Sequence, residues 1–194
     1  MNLQMRKQQL VREAILDAAL TLFEEKGFEE ATVDEIAERA GVSRRSFFRY
    51  FGSKSDLMGE GVTRHGETLL AAIAACSRKD SLGAVFRRTV TEVARVSVED
   101  VRTVRIMRIA AQYPEARAAQ LSRMPEVQER IAAGYARHWG GKRVDGMMCS
   151  IVAGLTLSTL AVAFRAYLEQ GQRDIGKITE RIFATLGQLV EPGK

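Results

Sequence analysis

The amino-acid sequence predicts an all-α protein of about nine helices. Over most of the 194-residue chain, apolar residues recur at spacings of three and four, the period of an α-helix with one buried face. At the expected starts of two helices a Ser or Thr stands three positions before an acidic residue, a pattern typical of helix N-termini. There is no sustained period-two alternation, no Asn-Gly hairpin signal and no internal repeat, so no strand is expected.

The first predicted helix covers residues 7–26. Val11, Ile15 and Leu22 share one of its faces, and Gly27 follows it. Glycine is common directly after a helix because it adopts the left-handed backbone conformation without strain. The chain therefore begins with an amphipathic helix rather than with the apolar core of a signal peptide.

A helix, a tight turn and a second short helix follow within about twenty residues. Thr32 and Glu35 form a capping-box pattern at the start of the second helix. Gly41 permits the turn, and Ser43 can cap a third helix that runs to about Phe51. This order of signals predicts a helix-turn-helix.

The remaining chain also shows helical patterning. Ser53 with Asp56 opens a fourth, longer helix that runs to about Ala75. Pro114 and Pro125 stand at or near first-turn positions, where proline is tolerated. Further helices are predicted over residues 82–98, 100–112, 115–122, 126–139, 144–170 and 175–190.

Positive charge is concentrated next to the predicted turn. The whole chain carries +5, yet its first sixty residues hold nine Lys and Arg against eleven Asp and Glu, a net charge of −2. The stretch 43–54 contains Arg44, Arg45, Arg49 and Lys54 and no acid. Such a local patch suits a polyanionic partner better than the overall charge does.

On a helical wheel of the third helix, Phe47 and Phe51 share one face and Arg45 and Arg49 lie nearly opposite. Arginine can pair with guanine O6 and N7 in the major groove or neutralise a phosphate. The wheel does not assign these roles to particular arginines. A solvated face beside an aromatic core is the alternative, and the ordered series of capped helices favours a DNA-reading helix.

The segment ATVDEIAERAGVSRRSFFRYFGSKSDL resembles the N-terminal signature of the TetR (tetracycline-repressor) family of bacterial regulators, over about residues 12–57. The resemblance implies a helix-turn-helix made by the second and third helices, a long fourth helix leading to an effector domain, and a dimerising bundle of two C-terminal helices from each subunit. The expected domains are a DNA-binding domain at 1–53 and a helical ligand-binding and dimerisation domain at 54–194.

The predicted DNA-binding residues lie on and beside the third helix. Carried over by position, Thr32 and Lys54 resemble phosphate contacts, and Phe47 and Phe51 resemble core positions. Phe48 stands where many relatives have a tyrosine, so its contact must be apolar, for example to a thymine methyl. The complete set is Thr32, Ser43, Arg44, Arg45, Ser46, Phe48, Arg49, Tyr50 and Lys54.

The segment GMMCSIVAGLTLSTLAVAFRAYL is apolar nearly all round. It approaches the length of a membrane span, but Ser and Thr interrupt it, and it is interpreted as a helix packed on its own domain and on a partner subunit. A second apolar stripe can complete the bundle with Ile178, Ile182, Leu186 and Leu189. A homodimer is expected, with packing inside one subunit as the alternative.

An effector pocket is expected among the middle helices, although most of its candidate residues are expected to be ordinary core. The candidates are Phe86, Met107, Tyr113, Tyr135, Trp139, Cys149 and Phe164. The stripe of Arg102, Arg105 and Arg108 is expected to be solvated rather than an anion site. His65 and His138 lack neighbouring ligands at metal spacing, so neither a metal nor a cofactor is expected.

The sequence therefore predicts a cytoplasmic repressor that leaves double-stranded operator DNA when it binds a small-molecule effector. Two cysteines are too few for a disulfide framework, and no membrane association is expected. A helical enzyme is one alternative, but the chain has no phosphate loop, nucleophile elbow or His-Glu-x-x-His motif. A nonspecific DNA-compacting protein is another, and the net acidic N-terminal region argues against it.

Overall fold

A computed structural model describes residues 3–139, 145–171 and 174–190. Within these ranges the chain forms helices and no strand, which confirms the predicted all-α class. The helices are α1 (Leu3–Lys26), α2 (Val33–Arg39), α3 (Arg44–Tyr50), α4 (Lys54–Ala74), α5 (Leu82–Glu99), α6 (Val101–Gln112), α7 (Pro114–Trp139), α8 (Gly146–Glu169) and α9 (Ile175–Val190).

The predicted break at Pro125 is wrong, because α7 is continuous through this residue. Proline has no N–H to donate to the carbonyl four residues earlier, which belongs to Leu121. Leu121 is exposed, so water can bond the carbonyl that the proline leaves free. The side chain of Ser122 donates to the Ala119 carbonyl over 2.8 Å within the same turn.

The chain divides into two compact units. The first contains Met1–Gly61 and Val101–Ser122, and the second contains Val62–Asp100 and Arg123–Lys194. The first unit thus includes α6, which the sequence places in the C-terminal domain. The domain boundary after residue 53 stays a prediction.

The core of the first unit is aromatic and is built around α1. Phe23, Phe28 and Phe47 are fully buried there, and burial of such a side chain contributes about 1.5–3 kcal/mol. α6 adds Ile106 to this core. Gly61 of α4 lets the two helices approach closely, since a Cβ there would lie 3.1 Å from Cγ2 of Ile106.

Two ion pairs join α6 to α1. Arg102 Nε lies 2.6 Å from Asp17 Oδ1, and Arg105 Nε lies 2.8 Å from Glu24 Oε1. The predicted solvated stripe is therefore wrong for these two arginines. Their spacing of three residues places both arginines on one face of α6, but their acidic partners are 85 and 81 residues away in sequence.

The core of the second unit brings α5, α8 and α9 together, with residues from α4 and α7. At its centre the hydroxyl of the fully buried Tyr135 lies 3.0 Å from Oγ1 of Thr156. Leu189 of the predicted apolar stripe on α9 has a side chain outside the described part of the structure.

Helix α8 is the one described helix that is long and apolar enough to cross a membrane by length and composition. Cys149, Ala153 and Leu160 on one side of it are buried in the core of the second unit. Core helices of globular domains have the same composition, so this helix by itself is weak evidence for a membrane span.

Candidate nucleic-acid interface

The helix-turn-helix begins at the N-terminus of α2, where Thr32 and Glu35 form the predicted capping box. The backbone N–H of Glu35 donates to Thr32 Oγ1 over 3.3 Å, and the Thr32 N–H donates to Glu35 Oε2 over 3.0 Å. The Lys26 ammonium also donates to Glu35, and with the Thr32 bonds it lowers the pKa of that carboxyl to about 2. A phosphate contact by Thr32 stays a prediction, because its hydroxyl donates to the same carboxylate over 2.7 Å.

The turn between α2 and α3 depends on Gly41. Its φ is +67°, a region in which residues with a Cβ are strained. The N–H of Gly41 donates to the Glu38 carbonyl over 3.0 Å, and the N–H of Val42 donates to the Ala37 carbonyl over 2.9 Å. This is the Schellman arrangement, which satisfies the last carbonyls of α2 and starts α3 at a sharp angle.

Helix α3 has one buried face and one exposed face. Ser43 caps it by accepting the Ser46 N–H over 3.1 Å. Phe47 and Phe51 are buried in the core of the first unit, which confirms the predicted inner face. Their aromatic packing fixes the rotation of α3 and so determines which side chains point outward.

The outer face of α3 carries two cations that have no acidic partner among the described residues. Arg45 and Arg49 are exposed, and neither makes an ion pair within the described residues. Arg49 lies over the half-buried Tyr50 ring, with its guanidinium carbon 5.0 Å from the ring centroid. Phe48, on the same helix, presents an apolar ring that is 45% exposed.

Arg44 differs from these two arginines because it has an acidic partner. Its Nη1 lies 2.6 Å from both carboxylate oxygens of Asp34 in α2. Its guanidinium carbon lies 5.4 Å from the centroid of the Phe48 ring. Ser46, the remaining predicted residue of this helix, is half-buried and accepts the Ser43 hydroxyl over 3.0 Å.

Lys54 lies at the start of α4 and points toward the loop between α1 and α2. Its ammonium donates to the carbonyls of Phe28, Glu29 and Ala31 over 2.7, 2.6 and 3.2 Å. A lysine has three N–H donors, so all of them are engaged within the protein. A phosphate contact by Lys54 stays a prediction, and its observed contacts hold this loop in place.

Two residues that support this interface were not predicted from the sequence. Arg12 of α1 forms an ion pair with Glu60, donates from Nη1 to the Tyr50 carbonyl over 3.2 Å and lies 4.6 Å from the Phe51 ring centroid. Arg12 therefore connects α1 to the C-terminal end of α3. Asp34 is the other residue. The contacts of Arg12 with Glu60 and of Asp34 with Arg44 join residues at least ten positions apart. Patterns within a few residues therefore could not predict them.

The seven candidate pocket residues are divided between the two units. Met107 and Tyr113 belong to the first unit, and Tyr113 packs beside Phe28 there. The others belong to the core of the second unit or pack against it, namely Phe86, Tyr135, Trp139, Cys149 and Phe164. Burial raises the pKa of the Cys149 thiol, as expected for an inert core cysteine.

The second unit also contains a cavity of about 330 Å³ near the ends of α4 and α7. Leu70 and Ile73 give it an apolar wall, and Arg137 and the buried His138 lie beside them. A separate open groove of about 730 Å³ runs along α5 and includes Arg87 and Arg88. None of the seven candidate residues lines either space, so their part in an effector pocket stays a prediction.

Histidine and cysteine side chains give no metal site in the described part of the chain. No three His, Cys, Asp or Glu side chains converge there in a way that could hold an ion. His138 Nε2 lies 3.2 Å from the Ser77 carbonyl, and the His65 ring packs against Phe164.

Two family models match the chain. The model described as bacterial regulatory proteins of the tetR family matches residues 15–60, and the model described as the MftR C-terminal domain matches residues 80–191. The first match contains the helix-turn-helix. The second covers more than half of the 194 residues.

Individual proteins agree with these matches. The chain is 28% identical over 180 residues to MftR of Mycobacterium tuberculosis, named as a mycofactocin biosynthesis transcriptional regulator, over 92% of this chain and 89% of MftR. The structure of NalD, the secondary repressor of the MexAB-OprM multidrug efflux pump in Pseudomonas aeruginosa, superposes with a TM-score of 0.64 at 20% identity, covering 94% and 96% of the two chains. Thermus thermophilus FadR, a TetR-family repressor in complex with lauroyl-CoA, superposes with a TM-score of 0.57 at 23% identity, covering 94% and 96%.

Both structural matches are below 25% identity and describe the fold, while the family models describe the class of protein. The relatives are regulators, which sets aside the alternative of a helical enzyme. The chain belongs to the TetR family of bacterial regulatory proteins and is a DNA-binding transcriptional regulator.

Proposed function

We propose that this protein is a homodimeric repressor that places α3 of each protomer in the major groove of operator DNA and leaves the operator when a small effector binds to its second unit. The observation that carries the DNA-binding part is the outer face of α3. Among the described residues no acid pairs with Arg45 or Arg49, whereas Lys26 and Arg39 in the same unit are paired with acids.

The local concentration of charge supports a specific regulator over the DNA-compacting alternative. A compacting protein needs basic charge over a broad surface, but the first sixty residues carry a net charge of −2. Guanidinium groups on the exposed face of a helix suit the edges of bases and the adjacent phosphates. A single α-helix such as α3 fits the width of the major groove.

A second copy of the chain is the proposed partner of α8. Met147, Ile151, Leu155 and Val162 are exposed at spacings of four and seven along one side of this helix. The side formed by Ala153 and Leu160 is buried in the core. A two-fold dimer would cover the exposed side and would present two recognition helices to two half-sites.

The proposed effector is a small molecule with an apolar body, bound in the second unit. FadR is in complex with lauroyl-CoA in its structure, which makes lauroyl-CoA a reasonable first probe for this chain. The cavity beside Leu70, Ile73 and Arg137 has the volume of a small-ligand site. Release from DNA requires the effector to bind the DNA-free form more tightly, typically by about 1–3 kcal/mol.

Repression rather than activation is proposed because NalD and FadR are named repressors. We place the protein in the cytoplasm, where its DNA is. A promoter fused to a reporter gene would test whether the protein represses or activates transcription. Removal of the protein should raise expression from a repressed promoter.

The experiment that tests the proposal is a binding titration with DNA from upstream of the protein's own gene and with random DNA as competitor. Arg45→Ala should weaken binding to the specific site by about 5- to 150-fold if Arg45 pairs with a base, and it should weaken random-DNA binding much less. Arg88→Ala, which removes an exposed arginine from the second unit, is the matched control and should leave both affinities unchanged. Equal losses on both DNAs would favour the compacting protein.

A further inference from the structure

Arg44 is held in a defined orientation by two contacts. Nη1 lies 2.6 Å from each oxygen of the Asp34 carboxylate, and the guanidinium carbon lies 5.4 Å from the centroid of the Phe48 ring. The carboxylate fixes one end of the planar group and the ring supports its face.

These contacts leave one edge of the guanidinium available. Asp34 uses Nη1 only, and Nε and Nη2 of Arg44 make no hydrogen bond within the described residues. The Nε–Nη2 edge carries parallel N–H donors in the fork that matches O6 and N7 of guanine. The edge also lies in a mostly exposed side chain, because Arg44 keeps 60% of its side-chain surface accessible.

The other two arginines of α3 lack this support. Arg45 has no ion pair in the described part of the chain, and Arg49 contacts only its neighbour Tyr50, with 3.4 Å between Nη2 and the hydroxyl oxygen. A side chain that is already oriented loses less conformational freedom on binding and so discriminates more sharply between ligands. Geometry therefore distinguishes Arg44 from two cations of equal charge.

We propose that Arg44 reads a guanine through its Nε–Nη2 edge and that Asp34 is the residue that positions it. This inference rests on the proposed function, since it assigns a role within the same DNA interface. Arg45 and Arg49 then discriminate less sharply than Arg44, Arg45 at a neighbouring base and Arg49 at the adjacent phosphates. Phe48 supports Arg44 in addition to any contact with a thymine methyl.

Asp34 has a second effect, on random DNA. Its negative charge neutralises Arg44 and repels the phosphates of any DNA, so it opposes purely electrostatic binding. Removing that charge should raise the affinity for random DNA and lower the preference for guanine. Both changes lower the ratio of specific to nonspecific affinity.

The test is in vitro selection of binding sites from a library of randomised DNA duplexes, with the wild type and with Asp34→Asn, Arg44→Ala and Arg44→Lys. The wild type should prefer guanine at one position of each half-site by about 5- to 150-fold. All three variants should lose most of that preference at the same position, Arg44→Lys because lysine is a point charge without the planar fork. Replacing that guanine by 7-deazaguanine should weaken binding of the wild type and leave Asp34→Asn and Arg44→Ala unaffected.

Fluorescence anisotropy with a random duplex supplies the second readout. Asp34→Asn should bind it about two- to fivefold more tightly, with a salt dependence steeper by about 0.9 in log–log slope for one added phosphate contact. Glu30→Gln is the matched control, because it removes one acid of the same unit that is exposed and unpaired in the described structure. It should keep the guanine preference and change the slope less.

The outcomes separate this inference from the proposed function. If the wild type enriches no motif, the proposed function itself fails and the inference fails with it. If the wild type enriches a motif and Asp34→Asn keeps every base preference, or loses one at a different position from Arg44→Ala, the role of Asp34 is refuted while the repressor stands.

Discussion

The three arginines of α3 differ in their partners rather than in their charge. Arg44 is bound by an acid and an aromatic ring, Arg49 lies over a tyrosine ring, and Arg45 has neither kind of contact in the described structure. Exposed ion pairs contribute only about 0–1 kcal/mol to stability. The pairing of Arg44 therefore matters more for orientation than for holding the first unit together.

Tyr135 shows how a single hydroxyl is accommodated in an apolar core. Thr156 donates its proton to the Val152 carbonyl over 2.7 Å, so the tyrosine must be the donor in the 3.0 Å contact between the two hydroxyls. Burial disfavours the phenolate and raises the pKa of Tyr135 to about 12. Neutral Tyr135 is thus part of the folded second unit.

Replacing Tyr135 by Phe should lower the free energy of unfolding by about 1 kcal/mol at pH 7, because a buried hydrogen bond is lost and Thr156 loses its donor. Urea unfolding followed by circular dichroism measures this change. Tyr167→Phe is the control, since Tyr167 is only half-buried on α8, and it should change stability by less than about 0.5 kcal/mol. A loss at Tyr135 no larger than at Tyr167 would contradict the role of the hydroxyl pair.

The raised pKa of Tyr135 also predicts the alkaline behaviour of the wild type. The unfolded phenol ionises near pH 10 and the folded one near 12. The stabilisation is therefore complete below pH 10 and is lost as the pH rises toward 12, at about 1.4 kcal/mol per pH unit from this group. Between pH 10 and 11 the wild type should lose more stability than Tyr135→Phe, and parallel losses would show that Tyr135 does not carry the effect.

At the scale of elements, the turn of the helix-turn-helix depends on the backbone of one residue. Gly41→Ala should destabilise the first unit by about 1–2 kcal/mol, because φ at Gly41 is +67°. No atom of the described residues lies within 4 Å of the position of the new Cβ, so the cost is conformational and not steric. This destabilisation should be measurable in unfolding curves and as a lower affinity for operator DNA.

Gly83→Ala is the matched control for this substitution. Gly83 lies in the first turn of α5, its Cβ position is equally open, and its φ is not positive. Alanine should therefore be neutral or stabilise α5 by up to about 1 kcal/mol. Equal effects of the two substitutions would mean that the left-handed turn contributes nothing to stability.

The contrast between local and distant contacts explains how much of the fold was predictable. Thr32, Gly41 and Phe47 act within a few residues of their own position, and the capping box, the turn and the inner face of α3 followed from them. The pairing of Arg102 with Asp17, or of Arg44 with Asp34, depends on how helices meet after folding. Hydrophobic periodicity predicts which face of each helix is buried, but it does not predict which residue of another helix packs against that face.

At the scale of the whole molecule, α8 is divided into a face that the chain buries itself and a face that it leaves exposed. Ala153 and Leu160 are buried in the second unit, while Ile151 and Leu155 are 49% and 43% exposed. Large apolar side chains aligned at helical spacing on a surface mark an interaction site. A symmetric contact between two α8 helices would bury these side chains.

Leu155→Glu should therefore convert the dimer into a monomer of 21.5 kDa. Two-fold symmetry would place a carboxylate from each protomer in the apolar contact, where desolvation and mutual repulsion should weaken dimerisation by at least about 100-fold. Sedimentation velocity measures the mass, and operator affinity should fall with it because two linked half-sites bind more tightly than one. Leu121→Glu places the same charge on another exposed leucine, on α7, and should remain dimeric. If Leu155→Glu also sediments as a dimer with wild-type operator affinity, the exposed face of α8 is not the interface, and the two recognition helices must be paired by another surface.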